Sequence, residues 1–405
     1  MNVLQLCIKP PFPPVDGGTI AMHSLSQALL SLDANLFILS VASDKHPVHT
    51  DALPQDYCQK THFQSVYIDL NIHPLHAAAA LLSRTSYNVS RYLSDDFSHT
   101  LAELLRNNRF DAVLVESLFL TPYLPLIRSL SSARVVLRAH NVEHHIWQQR
   151  AASSRNPFKR LYLSHLARTL KTYELNHLND YDAIACISRN DADFFLHNGC
   201  HKPLFNIPFA MQAIPQLDSA PEPYSLFHIG AMDWAPNLEG IDWFLHNVWP
   251  LLHATLPQAR LFLAGRKMPQ HLLDLHLDGV SIIGEVPDAQ QFIASKLINI
   301  VPLLSGSGLR IKIIEAMAAG KTVVSTSVGA AGINYTDGTD ILIADTPEEF
   351  VNHISHCLSD PAFCRSIGTN AAELIRQHYN PTQVSKSLLA CLSAPASSPS
   401  KNPNI

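Results

Sequence analysis

The stretch Pro302–Thr326, PLLSGSGLRIKIIEAMAAGKTVVST, decides how this chain is read. An apolar strand, INIVPL (298–303), gives way to the turn Ser305-Gly306-Ser307-Gly308. Apolar residues at helical spacing then run to about Ala319, Gly320 supplies a stop signal, and KTVVST (321–326) reads as the next strand. Strand, glycine-rich turn, helix, strand is one unit of a parallel sheet. Glycine lets backbone N–H groups close on an anion, and a helix N-terminus adds about half a positive charge. Arg310 and Lys312 fall in the first turn of that helix, where the dipole disfavours cations unless an anion binds there. Glu315, one turn further in, is spaced to accept hydrogen bonds from ribose hydroxyls. The plain alternative is an ordinary β-turn-α unit with a Lys312–Glu315 surface pair, worth about 0.2–0.5 kcal/mol. Neither the Walker A pattern nor G-x-G-x-x-G is present.

Working outward, the same alternation recurs. Before this stretch come SLFHIG (225–230), a helix from about Asn237, ARLFLAG (259–265) and VSIIG (280–284); after it comes ILIAD (341–345). Nearer the N-terminus stand VLQLCI (3–8), a helix over about 19–32, NLFILSV (35–41), DAVLV (111–115), ARVVLRA (133–139) and DAIACIS (182–188). A proline-rich segment, 206–224, separates the two series. The expected fold is α/β: two doubly wound Rossmann-like domains, 1–205 and 225–360, facing across a cleft. Helices over 361–393 and a disordered tail, 394–405, complete the expectation.

Composition narrows the function classes. The chain has 405 residues, 47% hydrophobic and 16% charged, so it has ample apolar surface to fold and is not a disordered chain. A net charge of -5 gives no general reason to expect a nucleic-acid partner. Seven scattered cysteines without C-x-x-C spacing read as reduced thiols, the N-terminus lacks a signal-sequence pattern, and runs such as 75–82 fall short of the roughly 20 apolar residues that cross a bilayer. The expected location is therefore cytoplasmic. One local feature departs from the acidic average. Between His144 and Lys171 stand Arg150, Arg155, Lys159, Arg160, Arg168 and Lys171 with no acidic residue, interleaved with Trp147, Phe158, Leu161 and Tyr162. This run suits an anionic membrane surface, peripheral at the inner face of the plasma membrane, or equally a solvated basic helix face.

With these residues in view, G-S-G-x-R-x-K-x-x-E-A-M-A-x-G-K-x-V-V-S-T resembles the donor-site motif of glycosyltransferase family 4, retaining enzymes of the GT-B fold. PFPPVDGGT (11–19) resembles that family's glycine-rich loop, RAHNVEH (138–144) its histidine segment, ACISRND (185–191) the strand before its interdomain crossing, and the stretch 338–350 the segment just after its donor site. The resemblance implies a hexosyl transfer from a nucleoside-diphosphate sugar to a sugar or lipid-linked acceptor, in cell-envelope polysaccharide or glycolipid synthesis. It makes Glu315 the ribose ligand and Gly17 and Gly18 a backbone surface against the diphosphate. Arg310 and Lys312 would neutralise that diphosphate, beside Gly306, Ser307 and Gly308, and His140 would contact the transferred sugar near the bond that breaks. It implies no metal and no cofactor, the nucleotide sugar being the substrate. It also implies that the C-terminal helices cross back to the first domain.

Two stretches depart from the family pattern. Ser307 stands where a first glutamate is usual, eight positions before Glu315, and Ala231 and Pro236 stand where an arginine and a lysine are usual. Arg310 and Lys312 would then supply the missing charge from the opposite loop. Rival readings are a GT-B sugar-nucleotide epimerase or hydrolase and a non-catalytic sugar-nucleotide binder. His140-Asn141-Val142-Glu143-His144 also spells H-x-x-E-H, an inverted zinc-peptidase pattern that needs both histidines on one helix face.

Overall fold

A computed structural model describes residues 1–48, 53–71, 86–154, 156–211, 220–306 and 310–393. The chain forms two compact units, one of Met1–Ala210 together with the chain from Pro381, the other of Met211–Asn380.

The first unit is built on a seven-stranded sheet: β1 (Asn2–Cys7), β2 (Asn35–Ala42), β3 (Gln64–Tyr67), β4 (Ala112–Val115), β5 (Arg134–Ala139), β6 (Ala183–Cys186) and β7 (Leu204–Asn206). Their order is β3-β2-β1-β4-β5-β6-β7 and every pairing is parallel. The central strands are uninterrupted apolar runs such as AVLV and AIAC because helices cover both faces, leaving no solvent side to demand alternation. One face packs on Phe97, Leu101, Leu105 and Ile127; the other packs on Met22, Leu25, Leu29, Leu388 and Leu392.

The second unit repeats the plan with six parallel strands: β8 (Ser225–Ile229), β9 (Arg260–Ala264), β10 (Val280–Gly284), β11 (Ile298–Val301), β12 (Thr322–Ser325) and β13 (Leu342–Ile343). Their order is β10-β9-β8-β11-β12-β13. Successive strands run outward from β1 on one side and from β4 on the other, and likewise from β8 and β11. Each such reversal leaves a crevice beyond the carboxyl ends of the strands, where ligands of open α/β sheets bind.

The segment 361–393 divides between the units. Helix Pro361–His378 stays with the second, packed on helix Ile311–Ala318 and on β12; a Cβ on its Gly368 would come 2.1 Å from the Gly320 carbonyl. Helix Pro381–Ser393 belongs to the first, packed on helix Gly17–Leu30 and on β5, with Arg134 Nε donating to the Cys391 carbonyl at 2.9 Å. Apolar patterning could not distinguish these helices, since both bury one face.

Strands β3 and β7 were not expected, being short strands at the sheet edges. The helix expected from Asn237 starts at Ala235 and passes through a π-helical turn, Phe244–Val248, into Trp249–Thr255, just before Pro250, which has no N–H to continue the ladder. The expected tail 394–405, and the apolar run 75–82, lie outside the described residues. Among those described, no helix is long and apolar enough to cross a membrane.

Candidate functional site

In the second unit, the turn after β8 and the turn after β11 flank the strand-order reversal. The first starts with Gly230, so close to Gly265 that a Cβ there would lie 1.8 Å from the Gly230 carbonyl oxygen. It carries Trp234 to the start of helix Ala235–Trp243. The second turn includes Gly306 at φ 106, where a Cβ would come 3.0 Å from Arg310 Nη2 and 3.1 Å from Trp234 Cζ2. Only glycine adopts that backbone cheaply and leaves the room.

Here the two cations read from the sequence meet. The Arg310 guanidinium lies 5.1 Å and the Lys312 Nζ 5.9 Å from the centre of the Trp234 ring, within cation–π range. Lys312 Nζ also donates to Asn237 Oδ1, whose Nδ2 donates to the Ala231 carbonyl at 2.8 Å. Beneath them His228 is fully buried, Nδ1 held by the Ile300 carbonyl at 3.0 Å; a Cβ on Gly230 would fall 3.2 Å from its Nε2 and 3.3 Å from Lys312 Nζ.

The electrostatics are those of two cations enclosed by the protein. Burial lowers the Arg310 pKa to about 10, while burial and then repulsion from Arg310 lower that of Lys312 to about 7. Helix Ile311–Ala318 begins at Arg310, whose own side chain makes no capping hydrogen bond. The Lys312–Glu315 surface pair of the plain alternative does not form: Lys312 turns to Asn237. Glu315 is part-buried and has no hydrogen-bond or ion-pair partner among the described residues, and burial raises its pKa. A helix start, two enclosed cations and a carboxyl without a partner among the described residues make a setting for an anion linked to a hydroxylated group. Ser307 and Gly308 lie outside the described residues.

In the first unit, Gly17 and Gly18 open helix Gly17–Leu30. Asp16 caps them in a reciprocal box with Thr19 and pairs with Lys9 at 2.6 Å. Burial opposes ionisation of Asp16, but hydrogen bonds from Lys9 and the Thr19 N–H hold its pKa below the ordinary value. Lys9 Nζ would lie 3.0 Å from a Cβ on Gly18.

His140 follows directly on β5, its Nε2 2.8 Å from Glu116 Oε2 at the end of β4. Glu116 is fully buried; its Oε1 accepts from Gln5 Nε2 at 2.7 Å, and Gln5 Oε1 accepts from Ser26 Oγ at 2.8 Å.

His144 instead is buried against Glu174, whose carboxylate accepts from the backbone N–H groups of Glu143 and His144 and so caps helix Glu143–Ala152. Burial, reinforced by repulsion from Glu174, raises the Glu143 pKa to about 8. The two histidines of H-x-x-E-H therefore serve different carboxylates, and His140 precedes the helix. Among the described residues there is no group of three or more His, Cys, Asp and Glu that could hold a metal ion.

The basic run folds as helices Glu143–Ala152 and Pro157–Asn176. Phe158 and Leu161 project from the second, 83% and 73% exposed, beside exposed Lys159 and Arg160; Arg155 lies outside the described residues.

Comparison with known proteins adds the chemistry. Residues 223–360 match the family of glycosyl transferases, group 1. This is the unit carrying Trp234, Arg310, Lys312 and Glu315. The whole chain shares its fold with HepE of Anabaena, solved with UDP, at TM-score 0.66 and 14% identity over 98% of this chain and 100% of that one. It also shares it with Staphylococcus aureus TarM, solved with fondaparinux, α-GlcNAc-glycerol and UDP, at TM-score 0.67 and 11% identity over 97% of this chain and 100% of that one. A third match is sucrose-phosphate synthase of Thermosynechococcus elongatus, at TM-score 0.63 and 16% identity over 96% and 97% of the two chains. Among curated proteins, an uncharacterized 44.6 kDa protein in the cps region of Klebsiella pneumoniae is 24% identical over 302 residues, 71% of this chain and 76% of that protein. Together these matches support a glycosyltransferase of the GT-B fold.

Four residues escaped the sequence reading: Glu116, His228, Trp234 and Asn237. Glu116 had a signal, as a charge directly closing the apolar run AVLV. Trp234 and Asn237 stand in GAMDWAPN, which was read for the arginine and lysine it lacks rather than for the ring and amide it holds.

Proposed function

We propose that this chain is a retaining, metal-independent hexosyltransferase whose second unit takes a nucleoside-diphosphate sugar and whose first unit takes the acceptor. The convergence of Arg310 and Lys312 on Trp234, at the start of helix Ile311–Ala318, carries the reading. A departing nucleoside diphosphate gains negative charge, and donors fixed in a partly dry site stabilise it without reorganising; each one lost costs about 3–4 kcal/mol of transition-state stabilisation. Glu315 would hold the ribose hydroxyls, Gly17 and Gly18 would offer backbone to the diphosphate, and His140 would face the transferred sugar. Uridine diphosphate is the favoured carrier, because HepE and TarM were solved with UDP. The relative in a cps region favours a capsular or other cell-envelope polysaccharide as the destination.

Calorimetric titration tests this directly. UDP is expected to bind with or without EDTA, GDP and ADP more weakly, and Arg310→Ala to lose about 1.5–3 kcal/mol of UDP affinity, roughly ten- to a hundredfold in Kd. Equal UDP affinity in Arg310→Ala would remove the proposed donor site.

The exposed start of helix Pro157–Asn176 supports peripheral attachment to an anionic membrane, with Phe158 and Leu161 entering the interface and Lys159 and Arg160 beside lipid phosphates. At about 1 kcal/mol per basic residue, Lys159→Ser with Arg160→Ser is expected to weaken sedimentation with phosphatidylglycerol vesicles at least tenfold. Unchanged sedimentation points to a merely solvated face.

A further inference from the structure

We infer that Glu116 is the positioning residue of the transfer site, fixing which nitrogen of His140 is offered to the substrate. The inference rests on the proposed function only in taking His140 to face the sugar. Glu116 stands one residue past β4 and His140 one residue past its neighbour β5; the register sets Val115 opposite Leu137, so His140 lies two residues further along, and the Glu116 side chain spans that offset. The contact is close, 2.8 Å from Oε2 to Nε2, and Glu116 is fully buried.

The far side of the carboxylate is fixed as well. Oε1 accepts from Gln5 Nε2 at 2.7 Å, and that amide cannot flip without loss, because its oxygen accepts from Ser26 Oγ at 2.8 Å while its nitrogen also donates to the Met22 carbonyl at 3.3 Å. β1 and helix Gly17–Leu30 thus orient a carboxylate that β4 aims at β5. An ionised carboxylate only accepts hydrogen bonds, so the imidazole nitrogen facing it carries a proton. Neutral His140 is thereby held as the Nε2–H tautomer. Its Nδ1 keeps a lone pair and accepts a hydrogen bond from a sugar hydroxyl, so Glu116 acts on the reaction through His140 and touches no substrate itself.

Glu116→Gln keeps the shape and breaks the logic. Its new amide must either point an N–H₂ at the protonated Nε2, forcing the ring proton to Nδ1, or point it at Gln5 Nε2 and break the chain to Ser26. The experiment is long-range ¹H–¹⁵N NMR of the full chain, with the His140 signals identified by their loss in His140→Gln, alongside steady-state kinetics. The parent is expected to show the Nε2–H tautomer and Glu116→Gln a shift toward Nδ1–H. In a variant of unchanged melting temperature, kcat should fall at least about tenfold while donor KM stays within about twofold, the pattern of an interaction used in the transition state. Glu116→Asp, which restores an acceptor, should recover part of kcat. An Nδ1–H tautomer in the parent overturns the inference even if no variant folds, and so does an unaltered kcat in folded Glu116→Gln. If the tautomer shifts as expected yet His140→Ala turns over at the parent rate, the placing of His140 at the reaction fails instead, and with it the role assigned to Glu116.

Discussion

Lys312 is the residue where structure and chemistry are most directly joined. Its amine, held at about pKa 7 by burial and by Arg310, is part neutral at physiological pH in the free protein. A bound diphosphate favours the charged form, so binding takes up a proton whenever the free site has lost one. Donor affinity is therefore expected to be full below pH 7 and to fall as pH rises through 7 to 9, by at most about tenfold per pH unit. Titration of UDP at pH 6, 7, 8 and 9 checks this, and Lys312→Arg, whose charge does not titrate there, should flatten the profile. A profile equally steep in Lys312→Arg would assign the proton to another group. Arg310 and Lys312 stand out in the sequence because cations at the start of a helix run against its dipole. Their partners do not: nothing in GAMDWAPN says that Trp234 and Asn237 sit beside a helix more than seventy residues further on, because β8 and β11 are neighbours only once the sheet has formed.

Among the elements, strands were legible where both faces are buried, since parallel sheets under two layers of helix write themselves as unbroken apolar runs. β4, β5, β6, β11 and β12 all fall inside stretches read as strands, whereas β3, with its partly buried QSVY, carries no such run. Helix Pro381–Ser393 shows the complementary limit. VxxxLxxxL spacing announces a buried face but not its partner, which is helix Gly17–Leu30, at the other end of the chain, together with β5. Its Leu388 is fully buried among Met22, Leu25 and Leu29. Leu388→Ala is expected to cost about 2–5 kcal/mol through lost burial and the cavity left behind. Denaturant unfolding followed at each unit should show an earlier midpoint for the first unit only. A shift confined to the second unit would place this helix elsewhere.

At the scale of the molecule, one topology is used twice, and the two copies carry different groups at equivalent places. Beyond β8 and β11 stand cations and an unengaged carboxyl, suited to a nucleotide diphosphate. Beyond β4 and β5 stands a histidine held by a carboxylate, suited to hydroxyl groups, and beyond β1 the glycine pair proposed to face the diphosphate. Fold sets where a crevice forms, and the side chains at the strand ends set what it takes. Binding of UDP alone should therefore register unevenly along the chain. Hydrogen exchange at a hundredfold excess of UDP over its Kd, where a ligand confined to the folded state contributes about 2.7 kcal/mol, should slow most in the peptides spanning 228–239 and 302–318. The peptide spanning 134–152, with His140 and the Glu174-capped helix, should respond only when the sugar is present. Slowing of 134–152 by UDP alone, with 302–318 unchanged, would reverse the assignment of donor and acceptor between the two units.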